Sequence, residues 1–404
     1  MRTMPLEKTP LHAAAGRIAE LADQCVQCGL CLPVCPTYAL EPNEAESPRG
    51  RIAIASALAR GLVDPTAELR QHLDHCLGCL NCEKVCPAHV QYDELLIGTR
   101  ALLGPSPTRP RRLLSLIKQP AMMRTLRRMG SWVGFSHWKD RLASRLPATS
   151  PWRAALLGMP RELPAPPLKE TAQSAGTPHL ALFPGCVASV DDAEAQHAAI
   201  TLLRAAGFQV TVLPAFCCGA LDLHGGAAEG AEQSAKRVRQ AWTASGASQL
   251  LSVTPGCLGT LRRALPEASV IDPVEWLASH GDALHFRPLA QRVALHLPCT
   301  QLNVAGTAEA LQRLLRRIPG LELLPLPRPP SCCGAAGSHL LEFPERAAQL
   351  RDATLRQAAT LGPQQLLSSN IGCRLHLASG MATLDLPWRQ QHPLSLLAQQ
   401  LEHD

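Results

Sequence analysis

Aromatic side chains are nearly missing: six Trp, six Phe and two Tyr serve 404 residues. Proteins that read nucleic acid stack bases on such rings, and no recognisable reading module accompanies the basic residues, so nucleic acid is not expected as a partner. Long apolar runs are missing too. None approaches the roughly 18 residues needed to span a bilayer. The opening MRTMPLEKTPLHAAAG carries Glu7 and Lys8 where a signal peptide would be apolar, so export by that route is not expected. There is no GxGxxG after a strand, no GKT or GKS phosphate loop and no HExxH. Nothing in the chain would then hold a flavin or a nicotinamide, and oxidation of an organic substrate is expected on another chain.

What the chain does have is cysteine, sixteen in all. Its length suits two or three domains with cores of their own, so small size does not explain the thiols. In a reducing cytosol, clustered cysteines are metal ligands or redox groups rather than structural disulfides. Eight of them form one pattern written twice, CxxCxxCxxxCP: Cys25, Cys28, Cys31 and Cys35-Pro36, then Cys76, Cys79, Cys82 and Cys86-Pro87. A ligand at every third residue lets a loop curl around one 4Fe-4S cube, and the fourth cysteine of each run ligates the other cube. On that crossing rule Cys25, Cys28, Cys31 and Cys86 hold one cluster, and Cys76, Cys79, Cys82 and Cys35 hold the second. Zinc is the competing reading, but structural zinc takes paired CxxC or mixed Cys/His ligands rather than this run.

The insert between the two runs contains SPRGRIAIASALARG. Ser47 reads as an N-cap, Pro48 as the first helical residue and Gly61 as a stop. Arg49 and Arg51 are in position either to hydrogen-bond near cluster sulfurs and raise a potential or merely to begin a solvated helix. The second reading is the simpler one.

The formal charge of +6 is concentrated between Arg109 and Arg145, where ten Lys or Arg face one acid, Asp140. Within it Met122, Leu126 and Met129 recur at helical spacing among Arg124, Arg127 and Arg128, which predicts a short amphipathic helix packed on its own domain. A partner subunit or an anionic membrane surface is the other possible occupant. Prolines 147, 151, 160, 164, 166, 167 and 178 then predict a linker with little regular helix.

Residues 179–404 are a duplication. Cys186, Cys217, Cys218 and Cys257 recur as Cys299, Cys332, Cys333 and Cys373 at offsets of 113, 115, 115 and 116. FCCGA answers SCCGA, and LLSVTPGC answers LLSSNIGC. Each half reads strand, helix, strand, CCG loop, helix, strand, helix, which implies parallel sheets with covered faces. The thiols follow strands, so four per half are expected to converge at the carboxyl edge of a sheet. The domains expected are 1–104, a mostly helical two-cluster ferredoxin-like domain; 105–178, a basic helical segment and Pro-rich linker; and two α/β CCG repeats, 179–288 and 289–404. The spacing leaves three readings of the CCG thiols open: a further cluster or metal, thiol–disulfide chemistry, or inert cysteines inherited with the fold. His376 reads as an extra ligand or as a surface or capping residue; its counterpart is Thr260.

The twin CxxCxxCxxxCP runs, SPRGRI between them, and HLDHCLGCLNCEKVCPAHVQY, FCCGALDLH, LPCTQ, CCGAAGSHLLEFPERAAQLRD and SNIGCRLHLAS form an ordered set along the whole chain. In these segments it resembles the iron–sulfur subunits of glycolate oxidase, also called glycolate dehydrogenase. The resemblance implies two 4Fe-4S clusters on the eight N-terminal cysteines and FAD-containing partner subunits that oxidise glycolate to glyoxylate. It also implies a quinone or membrane-associated acceptor, and a cytoplasmic location with peripheral contact on the inner face of the membrane. The iron–sulfur subunits of related lactate and glycerol-3-phosphate dehydrogenases are similar, as is the cysteine-rich domain of heterodisulfide reductase. In that last domain each half ideally ends CxxC, whereas here the halves end Cys257-Leu-Gly-Thr260 and Cys373-Arg-Leu-His376.

Overall fold

The computed structural model describes residues 10–402 apart from 133, 163, 167, 169–178 and 328–331. The chain resolves into two compact units. One takes residues up to 109 together with 221–230, and the other takes 110–220 and everything from 231 onward.

The first unit is helical. Helix Pro10–Asp23 packs on Pro48–Ala59 and on Tyr92–Leu103, and residues three and four apart on these helices, among them Ile18, Leu21, Ile52, Ala55, Leu95 and Leu96, form the buried seam. Helix Pro48–Ala59 starts as its sequence demands. Ser47 Oγ accepts from Gly50 N at 2.9 Å, Pro48 needs no amide partner in the first turn, and Gly61 turns the chain away at φ +63°. Residues 221–230 lie within the chain span of the first CCG repeat yet pack with this unit. Arg100 Nη1 donates to His224 O at 3.0 Å, and Arg109 Nη2 donates to Leu221 O.

The second unit is α/β and doubled, as the sequence predicts. β1 (His179–Leu182), β2 (Gln209–Val212), β3 (Gln249–Leu251) and β4 (Ser269–Ile271) form a sheet in the order β2-β1-β3-β4. β5 (Arg292–His296), β6 (Glu322–Pro325), β7 (Gln365–Ser368) and β8 (Arg389–Gln391) repeat that order as β6-β5-β7-β8. Every pairing is parallel. The central strands have no polar alternation because helices cover both faces: Leu180, Ala181, Leu182, Val293, Ala294 and Leu295 are all fully buried. The halves meet through equivalent pairs of helices, Ala193–Ala205 on Pro393–Gln400 and Ala308–Leu315 on Pro273–His280. Leu202, Leu277, Leu314 and Leu397 share one core there.

The middle region departs from the sequence reading twice. Proline density predicts little helix after residue 147, yet Pro151–Gly158 is helical. Pro151 sits at the first helical position, where a missing N–H costs nothing, and Ser150 Oγ caps Arg153 N at 3.4 Å. The rest of that Pro-rich run, at 163, 167 and 169–178, lies outside the described residues, as do residues 1–9. The amphipathic helix forms, as Pro120–Trp132, but it packs by its basic side rather than its apolar one.

Candidate metal centres

The loops Cys25–Cys31 and Cys76–Cys82 follow the same path. Gln27 (φ +56°) and Gly29 (φ +83°) in the first are matched by Gly78 (φ +57°) and Leu80 (φ +61°) in the second. Left-handed residues between the cysteines curl the chain, so thiols three apart can face one side. At the non-glycine positions Gln27 and Leu80 this conformation costs about 1–2 kcal/mol, strain of the kind held at functional sites.

Cys25, Cys28, Cys31, Cys82 and Cys86 line a single pocket, together with Pro48, Arg49 and Ile52 from the insert helix. Cys35, Cys76 and Cys79 lie near Cys82. Burial pushes the Cys82 thiol well above its ordinary pKa, and the charges of Cys79, Cys76, Cys35 and Cys31 push it further. Burial likewise raises Cys31, with Cys25 and Cys35 adding to it. Thiolates gathered this closely need positive charge among them. An iron–sulfur cube supplies it and takes one thiolate per iron, so the residues present fit 4Fe-4S groups.

Beside Cys35 and Cys76 the structure builds a buried charge network. Arg51 is 1% exposed and Glu46 is fully buried. Arg51 Nη2 donates to Glu46 Oε2 at 2.8 Å, Nη1 to Thr37 Oγ1 at 2.8 Å and Nε to His72 O at 2.7 Å. Glu46 Oε1 accepts from His72 Nδ1 at 2.7 Å and from His75 Nδ1 at 2.8 Å. Burial works against charge on both partners. The hydrogen bonds from His75 and His72 and the charge of Arg51 nonetheless hold the Glu46 carboxyl at about 2. The Cys76, Tyr92, Cys35 and Glu46 charges hold the Arg51 guanidinium above its ordinary value. Thr37 Oγ1 lies 3.3 Å from Cys35 Sγ, and Tyr92 Oη lies 3.5 Å from Cys76 Sγ. The solvated-helix reading of Arg51 is therefore corrected. Arg49 remains part-exposed, bonded to Glu44 and to Gln27 O at 3.2 Å. Sequence reasoning missed Glu46, His72, His75 and Thr37; two histidines just before Cys76 were the available signal.

In the α/β unit each half brings its four thiols together at the carboxyl edge of its sheet. Cys186 follows β1, Cys217-Cys218 follow β2, and Cys257 is the third residue of helix Pro255–Ala264 after β3. Cys299, Cys332-Cys333 and Cys373 repeat this after β5, β6 and β7, with Cys373 third in helix Ile371–Thr383. The first cysteine of each pair turns back on its own loop: Cys217 Sγ accepts from Gly219 N at 3.4 Å, and Cys332 Sγ from Gly334 N at 3.5 Å. Those turns require glycine. Gly219 has φ +95° and a Cβ there would stand 2.8 Å from Ser234 Cβ, while Gly334 has φ +75° and a Cβ would meet Ala347 O at 2.6 Å.

The two sites differ chemically. In the first, hydrogen bonds from Cys186 and Cys218, with the Gly219 amide and the charge of Lys118, lower the Cys217 thiol despite its burial. In the second, Cys333 Sγ donates to Cys373 Sγ at 2.7 Å. Burial and the neighbouring Cys332 push Cys299 up to about 12. All sixteen cysteines are free. His376 is buried rather than on the surface; its Nε2 donates to Ala347 O at 3.1 Å and burial lowers its pKa to about 4.

The 4Fe-4S dicluster domain family matches residues 21–90, and the cysteine-rich domain family matches 180–262 and again 293–378. The chain thus carries a segment similar to 4Fe-4S dicluster domains, followed by two similar to cysteine-rich domains. Along nearly its whole length it resembles glycolate oxidase iron–sulfur subunits. It is 29% identical to the glycolate oxidase iron-sulfur subunit of Escherichia coli (strain K12) over 96% of this chain and 97% of that one. It is 28% identical to the probable glycolate oxidase iron-sulfur subunit of Bacillus subtilis (strain 168) over 88% of each. In fold it is similar to a crystal structure of a hypothetical protein from Helicobacter pylori, at a TM-score of 0.51 and 12% identity, over 99% of this chain and 74% of that one.

Proposed function

We propose that the chain is the iron–sulfur electron-transfer subunit of a glycolate oxidase (glycolate dehydrogenase) complex. In this reading Cys25, Cys28, Cys31 and Cys86 hold one 4Fe-4S cluster, and Cys76, Cys79, Cys82 and Cys35 hold the other. Bound there, the clusters supply carriers of single electrons. An FAD-containing partner removes two electrons and two protons from glycolate, giving glyoxylate, and a quinone-type acceptor takes up two electrons and two protons. Between them this chain makes no bond to substrate. Its thiols fix the carriers, its left-handed loops hold the thiols in place, and the buried Arg51 offsets negative charge beside Cys35 and Cys76. The CCG thiols offer room for a further cluster or metal, which an iron count decides.

The observation that supports this reading is the pocket that Cys25, Cys28 and Cys31 of the first motif share with Cys82 and Cys86 of the second, so that thiols of both motifs lie side by side. Its test is anaerobic co-purification of the complex, followed by flavin and iron counts and dye-linked oxidation of glycolate, lactate and glycerol 3-phosphate. Glycolate is expected to reduce the dye fastest, and only with the flavoprotein present. Glycolate oxidation by the chain alone, free of flavin, contradicts the reading. A faster rate with lactate or glycerol 3-phosphate moves the chain to one of those related dehydrogenases.

A further inference from the structure

Helix Pro120–Trp132 is mounted inside out. Two of its three arginines point into the protein: Arg127, 8% exposed, donates through Nη1 to Asp191 Oδ1 at 2.8 Å and through Nη2 to Glu162 O at 2.6 Å. Arg124 Nη1 donates to Ala165 O at 2.6 Å, and Nη2 to Ser189 O. The apolar stripe faces water instead. Met122 is 40% exposed, Leu126 48%, Met129 60% and Trp132 91%, and their spacing puts all four on one side of the helix. Single exposed apolar residues are ordinary on a soluble surface; a contiguous row along one helix marks a face that something covers.

Charge says what covers it. Of the ten basic residues from Arg109 to Arg145, Arg109, Arg127 and Lys139 are buried, and the stretch holds one acid. That acid, Asp140, is already paired with Lys139 at 2.9 Å and Arg161 at 2.7 Å. Arg128 borders the stripe and is exposed, as are Arg111, Arg112, Arg141 and Arg145 on the neighbouring segments. Apolar side chains and a Trp standing proud of a basic field are what an anionic bilayer surface receives, the rings settling at headgroup level and the cations against lipid phosphates. The contact lies on the membrane rather than across it: no helix among the described residues is long and apolar enough to span.

We propose that residues 120–132 form an interfacial helix that seats this chain on an anionic lipid surface through Met122, Leu126, Met129 and Trp132. The contact does not depend on the substrate of the complex, and its readout is separate from cluster content. The test is flotation of the purified, cluster-loaded chain with vesicles of phosphatidylcholine alone or of phosphatidylcholine with phosphatidylglycerol. The wild-type chain is expected to float with the anionic vesicles and far less with the neutral ones, and to be released in part by salt. L126Q/M129Q/W132Q is expected to lose at least tenfold in partitioning. Its melting curve and visible spectrum should stay unchanged, because these side chains are largely exposed. Wild-type chain that ignores anionic vesicles, or a variant that floats as well as wild type, overturns the proposal. Wild-type chain that ignores vesicles while its flavoprotein partner is lost from the variant assigns the stripe to a protein instead.

Discussion

The two cysteine-bearing regions gather thiols by opposite means. In the helical unit the thiols sit on curled loops beside a pocket, and a fully buried arginine stands among them. In the α/β unit they sit at strand and helix ends within apolar cores. Cys218 and Cys257 lie with Phe183, Phe216 and Leu258, and Cys333 and Cys373 lie with Leu355, Leu366 and Leu377. There the sulfurs bond to one another and to their own loop amides. The first arrangement makes sense around a group that brings positive charge. In the second the sulfurs are packed against one another among apolar side chains.

Breaking the first arrangement is expected to cost most. Arg51→Gln leaves Glu46 buried without its cation and is expected to destabilise the helical unit by about 3–5 kcal/mol, measured by urea unfolding of the loaded protein. Arg51→Lys keeps the charge but not the fork that reaches Thr37 and Glu46 together. It is expected to lower the reduction potential of one cluster and leave the other in place, read by potentiometric titration. Equal shifts in both clusters would remove the link between Arg51 and the Cys35/Cys76 set.

The α/β arrangement depends on its turns. Gly334→Ala is expected to cost about 2–3 kcal/mol, because it adds a contact with a fixed carbonyl to an unfavourable φ. Gly219→Ala is expected to cost somewhat less, because its nearest obstacle, the Cβ of Ser234, stands at 2.8 Å rather than 2.6 Å. A larger loss at Gly219 would mean that the first loop is the tighter one.

The smallest effect separates the two halves by pH. Equivalent helices begin with Asp272 and His392, whose side chains accept from Val274 N and Leu394 N. Burial raises Asp272 to about 6 and lowers His392 to about 3, so each is held toward its neutral form. Their contributions have opposite signs. That of Asp272 is full in acid, below its ordinary value near 4, and is lost as pH rises through 6. That of His392 is full above its ordinary value near 6.5 and is lost as pH falls toward 3. His392→Asn keeps a capping group and removes the second effect. At pH 5 it should gain about 2 kcal/mol over wild type, relative to the same comparison at pH 7.5. An identical stability difference at both pH values would refute the sign.

Much of this architecture is legible in the sequence. The twin motif, the duplication and the alternation of strands with helices are local or periodic patterns, and Ser47-Pro48 announces its helix by capping chemistry alone. The rest depends on partners distant in sequence. The solvated reading of Arg51 fails because Thr37, Glu46 and His72 come from three separate segments, none with a periodic signature. Periodicity finds the stripe on helix Pro120–Trp132 but not its direction, which is set by Asp191 and by carbonyls at 162, 165 and 189. Proline counting misreads Pro151–Gly158 because a proline at the first helical position starts a helix rather than breaking one.

The central claim is that ligands cross between the two N-terminal motifs. Iron and acid-labile sulfide counts on anaerobically prepared wild type and Cys86→Ser test it most directly. The wild-type chain should hold about eight irons if the CCG thiols bind none. Cys86→Ser should lose the cluster of Cys25, Cys28 and Cys31 and keep about four irons with the low-temperature EPR signal of the other cluster. A variant that instead keeps the cluster of Cys25, Cys28 and Cys31 and loses the one on Cys76, Cys79 and Cys82 would contradict the account, as would a wild-type chain that carries zinc and no sulfide.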